Sequence, residues 1–396
     1  MSNVNNSQRI LALDILRGIT IAGMILVNNP GTWSHIYAPM RHAEWNGLTP
    51  TDLVFPFFMF IMGISTYISL KKYRFAYSRT AALKIARRTL VIFLIGMAIG
   101  WFSRFCYYWA SAPEGVSFGE NLWRSVWTFD RMRILGVMQR LALCYCAASL
   151  VALTVSHRLI PWIVGGILVG YGVLLLCCNG FVYGEENILS VVDCAVLTPP
   201  HMYKDHGIDP EGLLSTLPSI AHVLLGFSVG RLLFSPEERK ERQGEVSVVQ
   251  KKQGEDHEAL LVKLFLIGTL LTFSGLLLSY GCPINKKVWS PTYVLTTCGL
   301  ASSLLGVLVW VVDVKGKRQW SRFFEVFGIN PLFMYVLGGV LSIILDSTGV
   351  HGWIYGDVLQ PLLGDTAGSL AYALLFVALC WCIGFPLYKR RIYIKI

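Results

Sequence analysis

Apolar residues are grouped along the chain in blocks of about 20, the length a helix needs to cross a bilayer core. Ten blocks stand out, approximately 10–29, 50–70, 89–109, 133–153, 160–178, 215–234, 260–281, 291–312, 325–345 and 369–388. They predict an all-α polytopic membrane protein, about ten transmembrane helices in one bundle forming a single domain over 1–396. The first block carries Asp14 and Arg17, and no small-residue cleavage site follows it, so it reads as a mature helix. The stretch at about 235–259 is polar, dense in both charges and poor in aromatics, and reads as a flexible cytoplasmic linker.

Charge gives this bundle a direction. Of 396 residues 54% are hydrophobic and only 15% charged, with 34 Lys+Arg against 24 Asp+Glu. The basic residues do not form a nucleic-acid face. They lie in alternate loops: Lys71 to Arg88, Arg239 to Lys263, Lys315 to Arg322, and Lys389 to Lys395. Cytoplasmic loops carry such an excess, so these loops and both termini are expected inside. The ten cysteines show no metal-ligand spacing; most lie in apolar runs, and Cys194 and Cys282 fall in outer loops where they could pair.

Ionisable groups inside apolar spans carry an insertion cost of at least about 2.5–3.5 kcal/mol and usually face a bundle interior. Asp14 and Arg17, three apart, share a helix face; Asn28 lies about three turns beyond Arg17. An interfacial ion pair and an interfacial Asn would explain them equally well. Thr49-Pro50-Thr51-Asp52 makes a strong helix start, with His42 a short distance before it. Histidine suits proton transfer near neutral pH, though a lone loop histidine is more often solvated. Arg133, Gln139 and Arg140 open the fourth span; snorkelling accounts for Arg133, while Arg140 lies a turn or two deeper. Asn330-Pro331 starts or breaks the ninth span, freeing backbone groups. The outer loops hold further groups capable of directional contacts: Trp45, Asn46, Glu211, Asn285, Lys286 and Trp289.

Together, LDILRGITIAGMILVNNPG, HAEWNGLTPTDLVFPFFMFIMG, RILGVMQRLALCY, DPEGLLSTLPSIAHVLLG, PINKKVWSPTYVL and FGINPLFMYVL resemble the catalytic membrane domain of the heparan-α-glucosaminide N-acetyltransferase family, including its bacterial relatives. The resemblance runs in order over nearly the whole chain. It implies a multi-pass protein of the bacterial inner membrane that moves acetyl from cytosolic acetyl-CoA to the amino group of a glucosamine-type sugar outside. It implies no metal or nucleic acid, and it implies a homodimer. The animal member carries a luminal domain and one more span before this region. The family's active-site histidine falls on His42 and its asparagine on Asn28. On that basis His42 is the candidate base or acyl carrier, and Asn28 the donor to the thioester oxygen. Asp14 and Asp52 are candidates for orientation. Arg17, Arg133, Gln139, Arg140 and Asn330 are the expected CoA contacts, and Trp45, Asn46, Glu211, Asn285, Lys286 and Trp289 the expected acceptor contacts. Two rival readings are an amino-sugar transporter, suited by Asp14, Arg17 and His222 inside spans, and an O-acyltransferase acting on an envelope glycan.

Overall fold

The computed structural model describes residues 11–203, 205–234 and 249–394. It is all-helical, and no strand occurs among the described residues. We number the main helices α1 (Leu11–Asn28), α2 (Val54–Lys71), α3 (Arg79–Ala110), α4 (Phe118–Val126), α5 (Val137–Thr154), α6 (Ile160–Cys177), α7 (Ile188–Leu197) and α8 (Leu213–Phe234). They continue with α9 (Val249–Leu278), α10 (Pro291–Leu308), α11 (Arg322–Ile329), α12 (Pro331–Ser347) and α13 (Asp365–Lys389).

Nine helices among the described residues are long and apolar enough to cross a membrane. The segment Gln319–Ile329 with Pro331–Ser347 makes a tenth when the two are taken as one span, bent by 77°. The break falls at Asn330-Pro331: proline has no N–H to continue the ladder, and its ring clashes with the preceding turn. Three helix starts differ from the sequence expectation, the first being that of α3, at Arg79, ten residues before the expected 89. The fourth span begins at Val137, because Arg133 is drawn away into ion pairs outside the helix. In the expected linker, 235–248 lie outside the described residues, whereas from Val249 the backbone is already helical and continues into the apolar part of α9.

Helices α1, α2, α5, α8 and α10 form the buried centre, while α3 and α9 are almost entirely peripheral. Lipid offers no hydrophobic drive for helices to associate, so small residues that allow backbone approach matter most. A methyl group on Gly63 of α2 would land on the Val223 carbonyl oxygen, and one on Gly226 of α8 on that of Phe60. The α1–α11 contact has the same design, with Gly18 against Phe324 and Gly328 against Asp14.

The two ends of the bundle are tied separately. At one end Lys71 Nζ donates to the Phe234 carbonyl (2.6 Å), and the Asn330 side chain straps the C-terminal segment through Ile392 O and Ile394 N (both 2.8 Å). The basic loops following α2 and α10 and the basic end of α13 lie here. At the other end the 29–53 loop meets the loops before α8, α10 and α13. Gly31 N bonds Ser369 O (3.1 Å), Trp45 Nε1 bonds Phe181 O (2.8 Å), and Gly47 N bonds Ile284 O (2.8 Å). We call this the site end.

Candidate active site

At the site end the chain leaves α1 at Asn28, crosses a loop, and enters α2 through a 3-10 turn at Pro50–Leu53. Asp52 closes the first turn as the sequence predicts. Its Oδ2 accepts from Thr49 N (3.1 Å) and Thr49 Oγ1 (2.9 Å), satisfying donors that a helix start leaves open. The same oxygen also accepts from Ala43 N (3.0 Å), which fixes the backbone beside His42. The other oxygen, Oδ1, lies 2.6 Å from His42 Nδ1. The Asp52 side chain is fully buried, whereas that of His42 is 38% exposed. A helix cap thus serves as the anchor of an imidazole.

The tautomer follows from this geometry. Lys286 Nζ lies 2.9 Å from His42 Nδ1 and 3.3 Å from Asp52 Oδ1. Nδ1 cannot both accept from the ammonium and donate to the carboxylate. A carboxylate oxygen only accepts, so Nδ1 carries the proton and donates to Oδ1, and Lys286 donates to the same oxygen. Nε2 then keeps its lone pair, with Lys286 Nζ 3.4 Å away, on a ring that helps to line a cavity of about 500 Å³. Burial pushes the Lys286 ammonium below its ordinary pKa, against the pull of Asp52 and Glu211.

Asn28 lines the same cavity from the last turn of α1. Its neighbour Asn29 is buried and turns its amide back to Ile25 O (2.7 Å), so of the two asparagines Asn28 faces the open space. Arg133 and Glu211 line the cavity as well. Arg133 donates to both Asp209 oxygens, and to Glu211 Oε2 at 2.6 Å. Burial opposes the Glu211 charge, yet Arg133 prevails and holds that carboxyl below the usual range. Trp33, Glu44, Tyr203, Asp205, Lys287 and Tyr335 add to the polar and aromatic lining. Lys287 is held by Asp205 (2.7 Å) and the Tyr183 hydroxyl (2.8 Å).

Several expected site residues have other work. Asn46 and Asn285 bond each other (3.1 Å), and buried Asn285 also takes Val288 N, so the pair latches two loops. Trp45 stacks on Tyr183 at 4.6 Å, and Trp289 is buried against Phe55 and Tyr293. Neither indole reaches the cavity lining. Lys286 lines the cavity but is engaged by the dyad. Arg140 is buried behind the wall, bonded to Ser215 Oγ and to Gly212 O (3.3 Å), and lies over the Trp289 ring at 5.1 Å. Gln139 is buried on the same helix, against Gly96 of α3. Asp14 and Arg17 pair at 2.9 Å, and Arg17 reaches Ser65 (2.8 Å); Asp14 lies about 21 Å and Arg17 about 16 Å along α1 from Asn28. Asn330 is the strap at the far end. Asp14 is therefore too distant to orient His42, and Asn330 is committed to the tail. Sequence reasoning missed Glu44, Tyr203, Asp205 and Tyr335; for Glu44 the signal was its place two residues after His42. All ten cysteines are free thiols, Cys194 and Cys282 included, and no group of metal-ligating side chains forms among the described residues.

The fold and this site define a polytopic membrane protein with an aspartate-anchored histidine at a cavity in one end of its bundle. A family model for "Heparan-alpha-glucosaminide N-acetyltransferase, catalytic" matches residues 9–254, and the chain belongs to that family. It is similar to the Homo sapiens protein named heparan-alpha-glucosaminide N-acetyltransferase, 28% identical over 379 residues, which cover 83% of this chain and 52% of that protein. The Mus musculus protein of the same name is 26% identical over 450 residues, covering 99% of this chain and 61% of that protein. The chain thus spans between half and two thirds of the length of these relatives.

Proposed function

We propose that this protein is a membrane acetyltransferase that takes acetyl from acetyl-CoA and delivers it to the amino group of a glucosamine-type sugar at the site end. The carrying observation is the His42–Asp52 pair, with Nδ1 fixed on a buried carboxylate and the imidazole lining the cavity that Asn28 also lines. His42 Nε2 takes a proton from the attacking amine as the N–C bond forms. Asn28 donates its amide N–H to the carbonyl oxygen as that oxygen becomes negative. When the C–S bond breaks, the imidazolium returns the proton to the departing sulfur, and His42 is neutral again. An acceptor that arrives as an ammonium releases one further proton to solvent. Asp52 holds the ring and steadies its charged form.

Charge supports a division between the ends. Three cations, Arg133, Lys286 and Lys287, face three lining carboxylates, Glu44, Asp205 and Glu211, with Asp52 and Asp209 bonded just behind. The site end thus holds an excess of carboxylate, a poor match for the polyanionic head of CoA, while the opposite end carries the basic loops. In this reading the basic end is cytoplasmic, as are both termini, and the protein spans the bacterial inner membrane in multiple passes. CoA enters from the basic end with its thin arm reaching toward His42. The protein acts as a homodimer, which light scattering of the purified protein checks.

The test is direct. Proteoliposomes receive labelled acetyl-CoA with and without glucosamine, and labelled N-acetylglucosamine is the expected product. His42→Ala is expected to keep fold and CoA binding while losing transfer; near-normal acetylation would remove His42 from the mechanism.

A further inference from the structure

Among the charged side chains lining the cavity, Glu44 differs from the rest. Arg133 is held by Asp209 and Glu211, Lys286 by Asp52, and Lys287 by Asp205. Glu44 is exposed at the cavity and makes no hydrogen bond or ion pair with any described residue. It lies two residues from His42 on the segment that Asp52 pins through Ala43 N (3.0 Å), so its position is fixed by the same anchor as the base. Two exposed aromatic side chains line the same cavity, Trp33 (64% exposed) and Tyr203 (50%), the latter with Arg133 over its ring at 4.8 Å. Rings of this kind suit the apolar face of a pyranose.

We infer that Glu44 is the specificity determinant for the acceptor, a carboxylate that receives the substrate's ammonium group and selects charged amino sugars over neutral ones. The inference rests on the acetyl-transfer reading above. Among the described residues every lining cation is already paired with a carboxylate of the protein, so a positively charged acceptor meets one unspent negative charge beside His42. A neutral hydroxyl sugar gains nothing from it. The ammonium binds as the charged species and loses a proton to solvent before the free amine attacks, so the carboxylate contributes to capture and orientation rather than to proton transfer.

The experiment compares two nucleophiles in the reconstituted full-length protein: glucosamine, a cation near neutral pH, and hydroxylamine, which is neutral there. In Glu44→Gln, which keeps shape and removes charge, KM for glucosamine is expected to rise about tenfold with kcat changed less than about threefold. The ratio of kcat/KM for glucosamine over hydroxylamine should fall by a similar factor. Glu44→Asp should recover part of the ratio, and added salt should raise KM in the wild type more than in Glu44→Gln. An unchanged ratio in Glu44→Gln overturns the inference, as does an equal loss toward both nucleophiles, which would mark a merely structural role. A wild-type protein that transfers acetyl to neither nucleophile would instead overturn the acetyl-transfer reading, so the two failures are distinct.

Discussion

Replacing Asp52 with asparagine tests the site with almost no change in shape. In the native side chain, Oδ2 accepts from Thr49 N, Thr49 Oγ1 and Ala43 N at 2.9–3.1 Å. An NH2 group there would face three donors, so the asparagine must place its carbonyl oxygen at that position. Its NH2 then points at His42 Nδ1, now 2.6 Å from a carboxylate oxygen. A donor there forces Nδ1 to accept, so the imidazole proton moves to Nε2 and the lone pair leaves the cavity. The cap bonds survive and the base does not. A positioned general base contributes about 10²–10⁴ in rate, and losing the correct tautomer in comparable His–Asp sites falls near the top of that range. We therefore expect kcat for acetyl transfer to drop by at least about 10² in Asp52→Asn, with thermal stability and CoA binding close to wild type. The assay is labelled-acetyl transfer in proteoliposomes, beside a melting curve in detergent. A well-folded Asp52→Asn protein with kcat within about threefold of wild type would refute both the tautomer assignment and the role of His42.

Other consequences separate site from scaffold. Asn28→Ala should lower kcat by about 10²–10³ with little change in acetyl-CoA binding, as removal of an oxyanion donor does; a loss confined to KM would argue for a binding role instead. Gly226→Ala puts a methyl group on the Phe60 carbonyl oxygen and should cost about 1–3 kcal/mol in thermal stability, while Gly100→Ala, with nothing near its added carbon, should cost none. Equal melting points for the two variants would refute the close α2–α8 approach. Asn330→Ala should loosen the C-terminal strap, seen as faster proteolysis of the tail, and leave the KM for acetyl-CoA unchanged. Burial pushes Asp193 up to about 6 from 3.8, so through that window the folded protein keeps a proton the unfolded chain has lost. Its stabilising effect is present below about pH 4 and lost as pH rises through 6. The melting-point difference between Asp193→Asn and wild type should move in the variant's favour from pH 4 to 6 and then level off; a flat difference would refute that shift.

Much of the scaffold was legible because spans are local. Every apolar block became a helix or, at Asn330-Pro331, a broken one, and proline chemistry marked the break in advance. The helix start at Thr49 to Asp52 was equally plain, since capping is decided within four residues. Partners were a different matter. His42 and Lys286 are 244 positions apart, and Arg133 and Glu211 are 78 apart. A sequence shows that each can ion-pair, not with whom. Asn46, Asn285 and Trp45 show the ambiguity: polar and aromatic residues in outer loops suit a ligand, but they equally suit a latch, and these three join loops. Arg133 looked available for phosphate until its two carboxylates came into view. Asp14 shares a motif-rich segment with Asn28, yet the axial rise of α1 carries it to the far end, and Asn330 is taken up by the C-terminal segment.

The role of Asp52 explains why the loop can hold chemistry at all. A loop histidine has many rotamers, and fixing its ring for catalysis costs conformational entropy that a solvent-exposed segment rarely recovers. Here the anchor is the first turn of a buried helix. One carboxylate closes that turn, fixes the backbone at Ala43 and orients the imidazole, while Tyr293 clamps its main-chain oxygen from α10 at 2.6 Å. The position of Nε2 is thereby tied to α2 and α10, two helices of the buried centre, rather than to the loop. Lys286 arrives on the loop that leads into α10 and lends its charge to the same carboxylate oxygen. Any motion that displaces the start of α2 must therefore disturb base, cap and lysine together, so the site should remain intact or be lost as a unit rather than lose one group at a time.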